Sequence, residues 1–312
     1  MPETGIGESG PPGFQEKIFQ ADAASIHYAE SPPNGPPIIL LHGLARDWKS
    51  FSVLLPELTS RFQVFALDLR GHGGSSRVPR GYRITYYAQD VSGFLKQVIP
   101  GGAAIFGHSL GGEVGMCVAA GADSRVSALI VGDSVISPEN FARSMYDPLF
   151  LQLHKLIQCV DSDKKLSQQE LARGIGKIEL RLPGFDEVLR IEDLPGNTES
   201  VLMEWARCAM QTDPETLAMT LDRSSFAGWD PVQILPQISC PTLLLQGNPE
   251  LDALLTDDDV KLALKLLPNA KHVKFPLLGH ALFMQQPKPV LHAVISFLGS
   301  NLGGPQSSRV RP

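Results

Sequence analysis

Short apolar runs alternating with helix-periodic segments constrain this chain more than any other feature. PPIILLHGL (36–44), QVFALDLRGHGGSS (63–76), AAIFGHS (103–109) and RVSALIVGDSV (125–135) each contain an uncharged run too short for a helix. DWKSFSVLLPELTSRF, TYYAQDVSGFLKQVI and SLGGEVGMCVAAGA, between and after them, place apolar residues at helical intervals. Strands apolar on both sides, alternating with helices, predict a parallel sheet covered on both faces. KIFQAD and SIHYAES, separated by an Asp-containing turn, predict an antiparallel start to that sheet. The pattern resumes with CPTLLLQGNPE, DDDVKLALKLLP, KHVKFPLLGHA and PVLHAVISFLGS. At 312 residues, 43% of them hydrophobic, the chain suits one α/β domain with an insertion.

The insertion covers 137–235, which holds helical stretches such as DPLFLQLHKLIQCV, TESVLMEWARCAMQ and PETLAMTLDRS. It leaves after one sheet strand and returns before another, so it is expected to lie over the carboxyl ends of the strands as a lid or cap. The core is then 17–136 together with 236–300. Residues 1–16 and 301–312 are expected to be a flexible leader and a flexible tail. Trp205, Met203, Met210 and Met219 fall at near-helical spacing and read as packing rather than substrate contacts.

Charge excludes some partners. The formal net charge is −6 and no basic block exceeds a residue pair, which argues against nucleic acid. MPETGIGESGPPGF lacks the basic end and apolar run of a signal peptide, and no apolar run is long enough to span a bilayer, so a cytoplasmic protein is expected. Four separated cysteines without CxxC, and eight histidines without HExxH, predict free thiols and no bound metal. GIGESG (5–10) matches the dinucleotide fingerprint in letters, but no strand precedes it; GHGGS lacks the lysine of a phosphate loop. No cofactor is expected, and Asp68 and Arg70 read as internal braces of the GHGGS turn.

AAIFGHSLGGEVGMCVAAGA (103–122) passes from strand to helix through Gly-x-Ser-x-Gly, with Gly107 and Gly111 bracketing Ser109. A side chain at either glycine would meet neighbouring backbone at so sharp a turn, which lifts the serine hydroxyl clear of the sheet. His42-Gly43, DLRGHGGS (68–75), GHSLGG (107–112) and GHALFMQQP (279–287) occur in the order used by α/β-hydrolases, and the chain from about 17 to 300 resembles that family. The resemblance implies an α/β-hydrolase fold with a helical cap inserted before the last strands. It also implies a Ser nucleophile that forms an acyl-enzyme, a His base and an acid orienting the base, in that family's chain order of Ser, acid, His.

Ser109 is the expected nucleophile. A hydroxyl needs a base at hydrogen-bond distance, and His280, after a strand and a glycine, is the expected one. His292 falls inside a helix, His272 begins a strand, and His108 is expected to support the turn. Two acids satisfy the chain order: Asp133 ends SALIVGD, and Glu250 lies three residues beyond Gly247 where relatives commonly carry Asp. Asp133, with the shorter side chain at a strand end, is preferred, and Glu250 stands as the alternative. The resemblance implies that the N–H groups of Leu44 and Leu110 form the oxyanion hole.

These residues predict a serine hydrolase acting on a small-molecule carboxylic ester, lactone or thioester. A carbon–carbon bond hydrolase or a cofactor-independent oxygenase on the same scaffold is the alternative, and a ligand-binding protein without turnover is a third.

Overall fold

The computed structural model describes residues 13–142, 146–160, 165–182, 186–194 and 196–302. Most of the expected leader, the expected tail beyond residue 302 and the GIGESG stretch therefore lie outside the described residues. In chain order the elements are β1 (Gln15–Gln20), β2 (Ser25–Glu30), β3 (Pro37–Leu41), α1 (Leu55–Thr59), β4 (Gln63–Leu67), α2 (Ile84–Val98), β5 (Ala103–His108), α3 (Leu110–Ala119) and β6 (Val126–Gly132). There follow α4 (Pro138–Ala142), α5 (Tyr146–Val160), α6 (Gln168–Gly176), β7 (Glu179–Leu180), β8 (Leu189–Arg190), α7 (Glu199–Met210), α8 (Pro214–Leu221) and α9 (Pro231–Ile234). β9 (Thr242–Gln246), α10 (Asp257–Leu266), β10 (Ala270–Lys274), α11 (Leu282–Gln285) and α12 (Pro287–Asn301) complete the order.

Eight strands form one sheet in the order β1-β2-β4-β3-β5-β6-β9-β10. β1, β2 and β4 are joined by antiparallel pairings, and from β4 onward every pairing is parallel. The parallel part is the sheet expected from the strand–helix alternation, and the whole is the α/β-hydrolase fold that the resemblance implied. β1 begins at Gln15, inside the stretch expected to be a leader, because Gln15 and Glu16 pair with Glu30 and Ala29 across the hairpin.

Side chains along the central strands point alternately to two cores, as the period of two requires. Ile39, Leu41, Ile105, Leu129, Val131 and Leu244 face the core shared with α2, α3 and the inserted helices. Ile38, Leu40, Ala104, Phe106, Ile130 and Leu245 face the one shared with α1 and α12. Burial on both faces explains why these strands read as unbroken apolar runs. Edge strand β10 instead mixes exposed lysines with half-buried residues.

The first helix-periodic stretch is the main local departure. DWKSFSVLLPELTSRF forms a single tight helical turn at Trp48–Phe51 and then the five-residue α1, with Pro56 in its first turn. Proline cannot donate within a continuing helix but fits a helix start, so it divides the segment in two.

β6 and β9 are hydrogen-bonded neighbours, from Leu129 opposite Thr242 to Gly132 opposite Leu245. The roughly hundred residues between them thus leave and rejoin the sheet at adjacent positions. They are mainly helical, as the periodicity predicts, with β7 and β8 adding a two-residue antiparallel pair.

Candidate active site

Ser109 follows the last residue of β5 and precedes the first of α3, at φ 53° and ψ −125°. Such a conformation costs a non-glycine residue about 1–3 kcal/mol and persists only where its surroundings enforce it. The glycines enforce it here: a Cβ on Gly107 would strike the carbonyl of Gly111, and one on Gly111 the carbonyl of Leu41. The Ser109 amide donates to the Gly132 carbonyl at 2.9 Å, which fixes the turn beside the end of β6.

Asp133 is the next residue after β6 and is fully buried. Its Oδ2 accepts from His280 Nδ1 at 2.7 Å and from the Leu254 amide at 2.8 Å. Its Oδ1 accepts from the amides of Gly247 and Leu255 at 3.3 and 3.2 Å. Three backbone donors from the segment after β9 therefore hold the carboxylate, and its fourth partner is the imidazole. A ring that donates from Nδ1 carries its lone pair, when neutral, on Nε2.

His280 is supported from three sides. Its amide donates to Asp252 Oδ1 at 2.5 Å, its carbonyl accepts from His108 Nε2 at 2.9 Å, and its ring lies 4.7 Å from that of His108. Burial holds the His108 imidazole well below its ordinary pKa, so it is neutral and its single N–H is the one given to the His280 carbonyl. His108 thus supports the base rather than the serine turn alone.

Glu250 and Asp252 share the loop after β9 but differ in placement. Glu250 is exposed, and its amide donates to Asn248 Oδ1 at 3.1 Å in the Pro249–Leu251 turn. Asp252, at φ 105°, turns its carboxylate back toward His280, and a Cβ on Gly279 would collide with it. Burial raises the Asp252 pKa to about 6 and the Asp133 charge adds to the effect, against the opposing pull of His280. Counting three residues from Gly247 passes over Asp252, which the sequence reading did not single out; the second carboxylate two positions beyond Glu250 was the available signal.

The loop after β3 carries Leu44. His42 is buried, with Nδ1 donating to the Gly43 carbonyl at 2.8 Å and Nε2 accepting from the Leu69 amide at 2.9 Å, an arrangement that only the neutral ring can make. Asp68 accepts from the amides of Trp48 and Gly74 and from His27, and Arg70 pairs with buried Asp90 at 2.6 Å. Both residues brace the neighbouring turns as their sequence context implied. Leu110 opens α3, where N–H groups have no intrahelical acceptor, and among the described residues neither its amide nor that of Leu44 donates to another group.

Leu44, Ser109 and Leu110 line a small cavity of about 20 Å³ together with Glu113, Val135, Phe150, Thr220, Ser225, Phe226 and Leu254. Phe150, Thr220, Ser225 and Phe226 come from the segment between β6 and β9, which therefore walls the cavity on one side. That segment also grips the Leu44 loop. Arg207 on α7 pairs with buried Asp47 at 2.6 Å, and Trp205 lies under the Arg46 guanidinium at 4.3 Å. Asp47, Glu204 and Cys208 approach within 4.8 Å of one another, with Arg207 bonded to both carboxylates. Met219 is buried, and Trp205, Met203 and Met210 pack against the main core.

Among the described residues no helix is long and apolar enough to cross a membrane. The sequence model of the Alpha/beta hydrolase family matches residues 38–293. The chain is 27% identical over 271 residues to a pimeloyl-[acyl-carrier protein] methyl ester esterase of Nitrosomonas europaea, covering 85% of this chain and 96% of that protein. It is 25% identical over 273 residues to Esterase YbfF of Escherichia coli, covering 86% and 96%. A thermophilic esterase from Thermogutta terrifontis superposes with a TM-score of 0.67 at 24% identity, over 92% of this chain and 98% of that one.

Proposed function

The chain belongs to the alpha/beta hydrolase family and is a hydrolase, and from that premise we propose that it cleaves a small carboxylic ester, lactone or thioester through an acyl intermediate on Ser109. Ser109 Oγ attacks the carbonyl carbon while His280 Nε2 takes its proton. Asp133 holds the Nδ1–H tautomer and stabilises the imidazolium that forms. The negative oxygen of the tetrahedral intermediate is received by the amides of Leu44 and Leu110, with the partial positive charge of the α3 N-terminus behind them. The imidazolium then protonates the leaving alkoxide. Water, deprotonated by the same ring, attacks the acyl carbon, and collapse of the second intermediate returns the proton to Ser109 and releases the acid.

The observation that carries this proposal is the 2.7 Å pairing of His280 Nδ1 with Asp133, with the Ser109 turn, at φ 53°, tied through its amide to Gly132, the residue before that acid. The esterase names of the two curated relatives support an ester as substrate. The cavity wall contributed by Phe150, Thr220, Ser225 and Phe226 supports a role for 137–235 as a cap that limits substrate size and excludes water. Among the described residues the four cysteines form no disulfide, which suits a reducing compartment such as the cytoplasm.

The test is a fluorophosphonate probe with short-chain p-nitrophenyl esters. Labelling of Ser109, turnover of at least one ester, and loss of both in Ser109→Ala are expected. Label on another residue, or turnover that survives in Ser109→Ala, overturns the proposal.

A further inference from the structure

Glu113 stands one helical turn beyond Ser109 on α3, is only 4% exposed, and lines the same cavity. Its Oε1 accepts from the Val135 amide at 3.2 Å. Among the described residues Oε2 has no hydrogen-bond partner, yet it is not among the buried polar atoms sealed from solvent, so it opens on the cavity. The surroundings are apolar: Leu44, Leu110, Val135, Phe150, Phe226 and Leu254 make most of the wall. Such a wall does nothing to stabilise a carboxylate.

Building on ester cleavage at Ser109, we propose that Glu113 selects substrates carrying a hydrogen-bond-accepting oxygen near the scissile ester, by donating a hydrogen bond from a neutral carboxyl group into the cavity. In the neutral acid the carbonyl oxygen is the one that takes the Val135 N–H, which leaves the O–H on Oε2 directed at the substrate. The fitting ligands are esters with an ether, keto or hydroxyl oxygen a few bonds from the reacting carbonyl. A plain alkyl ester of the same shape would leave the donor without an acceptor, and an unmet buried polar group is what penalises the wrong substrate.

Burial raises the Glu113 pKa to about 8, against the smaller opposing effect of the Val135 amide. Among the described residues, no residue of the cavity wall from the Leu44 loop, α5, α8, the Ser224–Phe226 turn or the Leu254 segment is Lys, Arg, His, Asp or Glu. Among the described residues, a titratable side chain that senses Glu113 is Cys117, one turn along α3, whose thiol is pushed up to about 12 by burial and by Glu113. Both groups are therefore uncharged at pH 7. Above pH 8 Glu113 ionises, the donor is lost, and a substrate oxygen there would meet negative charge.

The experiment compares kcat/KM for p-nitrophenyl methoxyacetate and butyrate, which differ by one oxygen for methylene in the acyl chain, and for 2-methoxyethyl and butyl butyrate, which differ so in the alcohol. Wild type, Glu113→Gln and Glu113→Leu are measured between pH 6.5 and 9. Intrinsic reactivity cancels when each ratio is divided by that of Glu113→Leu. The expected result is a preference of about three- to tenfold for the oxygenated member of one pair in wild type at pH 7. Glu113→Gln, whose amide still donates, keeps that preference across the whole range, whereas wild type loses it as pH rises through 8. Turnover of all four esters with ratios that Glu113→Leu leaves unchanged overturns this selectivity while acylation of Ser109 stands. Absence of turnover with Ser109 unlabelled overturns the hydrolase proposal and the selectivity with it.

Discussion

Replacing Asp133 with Asn isolates the pairing on which the proposed chemistry depends. The wild-type carboxylate accepts four hydrogen bonds: Leu254 N–H and His280 Nδ1–H on Oδ2, Gly247 N–H and Leu255 N–H on Oδ1. An amide offers one oxygen, so its NH₂ must oppose two donors in either orientation. With NH₂ at the Oδ2 position, His280 turns to the tautomer that carries its proton on Nε2, and that nitrogen no longer accepts from Ser109. With NH₂ at the Oδ1 position, two buried backbone donors lose their acceptor, at about 1–3 kcal/mol each, and the imidazolium loses its counter-charge. Either outcome predicts a kcat/KM lower by about three to four orders of magnitude, together with a lower urea midpoint. Ester hydrolysis and urea unfolding on the same preparation separate the two effects, and Glu250→Gln, at an exposed position, should change kcat/KM by less than about twofold. A folded Asp133→Asn enzyme retaining a tenth of wild-type activity, or a larger loss in Glu250→Gln, would refute the assignment of the acid.

Asp252, whose pKa rises to about 6, lowers the stability of the folded state as pH climbs from the unfolded value near 4 through 6, by no more than about 3 kcal/mol. Asp252→Asn should therefore gain in thermal midpoint relative to wild type between pH 4.5 and 7, and a constant difference across that range would contradict the burial argument. Gly111→Ala places a methyl group against the Leu41 carbonyl, and fluorophosphonate labelling of Ser109 is expected to fall at least tenfold. Arg207→Ala leaves Asp47 buried without its guanidinium; chemical unfolding should show a loss of about 2–4 kcal/mol, partly recovered in Arg207→Lys.

The strands and the serine turn were legible because they depend on local rules. Period-two burial, the helix-periodic intervals and the glycines at 107 and 111 all act within a few residues of Ser109. The position of Asp133 was also readable, since the end of a central strand has one direction available. The loop after β9 was not readable. Which carboxylate turns inward there is set by the left-handed conformation at Asp252 and the close approach of Gly279, a contact with a segment 27 residues away. Counting from Gly247 points to Glu250 because it supposes a shorter loop. Glu113 left no trace in the pattern for a different reason: helical periodicity tells which face is covered, not whether a carboxylate on that face meets water or an enclosed cavity. Helix α1 was overextended in the sequence reading because Pro56 permits a helix to begin but not to continue through it.

Adjacent attachment of the inserted segment to β6 and β9 has an evolutionary consequence. Closing a longer loop between fixed ends costs only slowly more entropy with length, so helices can be gained, lost or exchanged in that segment without disturbing strand register. Asp133 sits immediately before the departure point and the amides that hold it come just after the return, so a transplanted segment would leave the proposed catalytic acid in place while replacing one wall of the cavity. What a transplant must supply is a counterpart to Trp205 and Arg207, the two side chains that steady Arg46 and Asp47 across the junction.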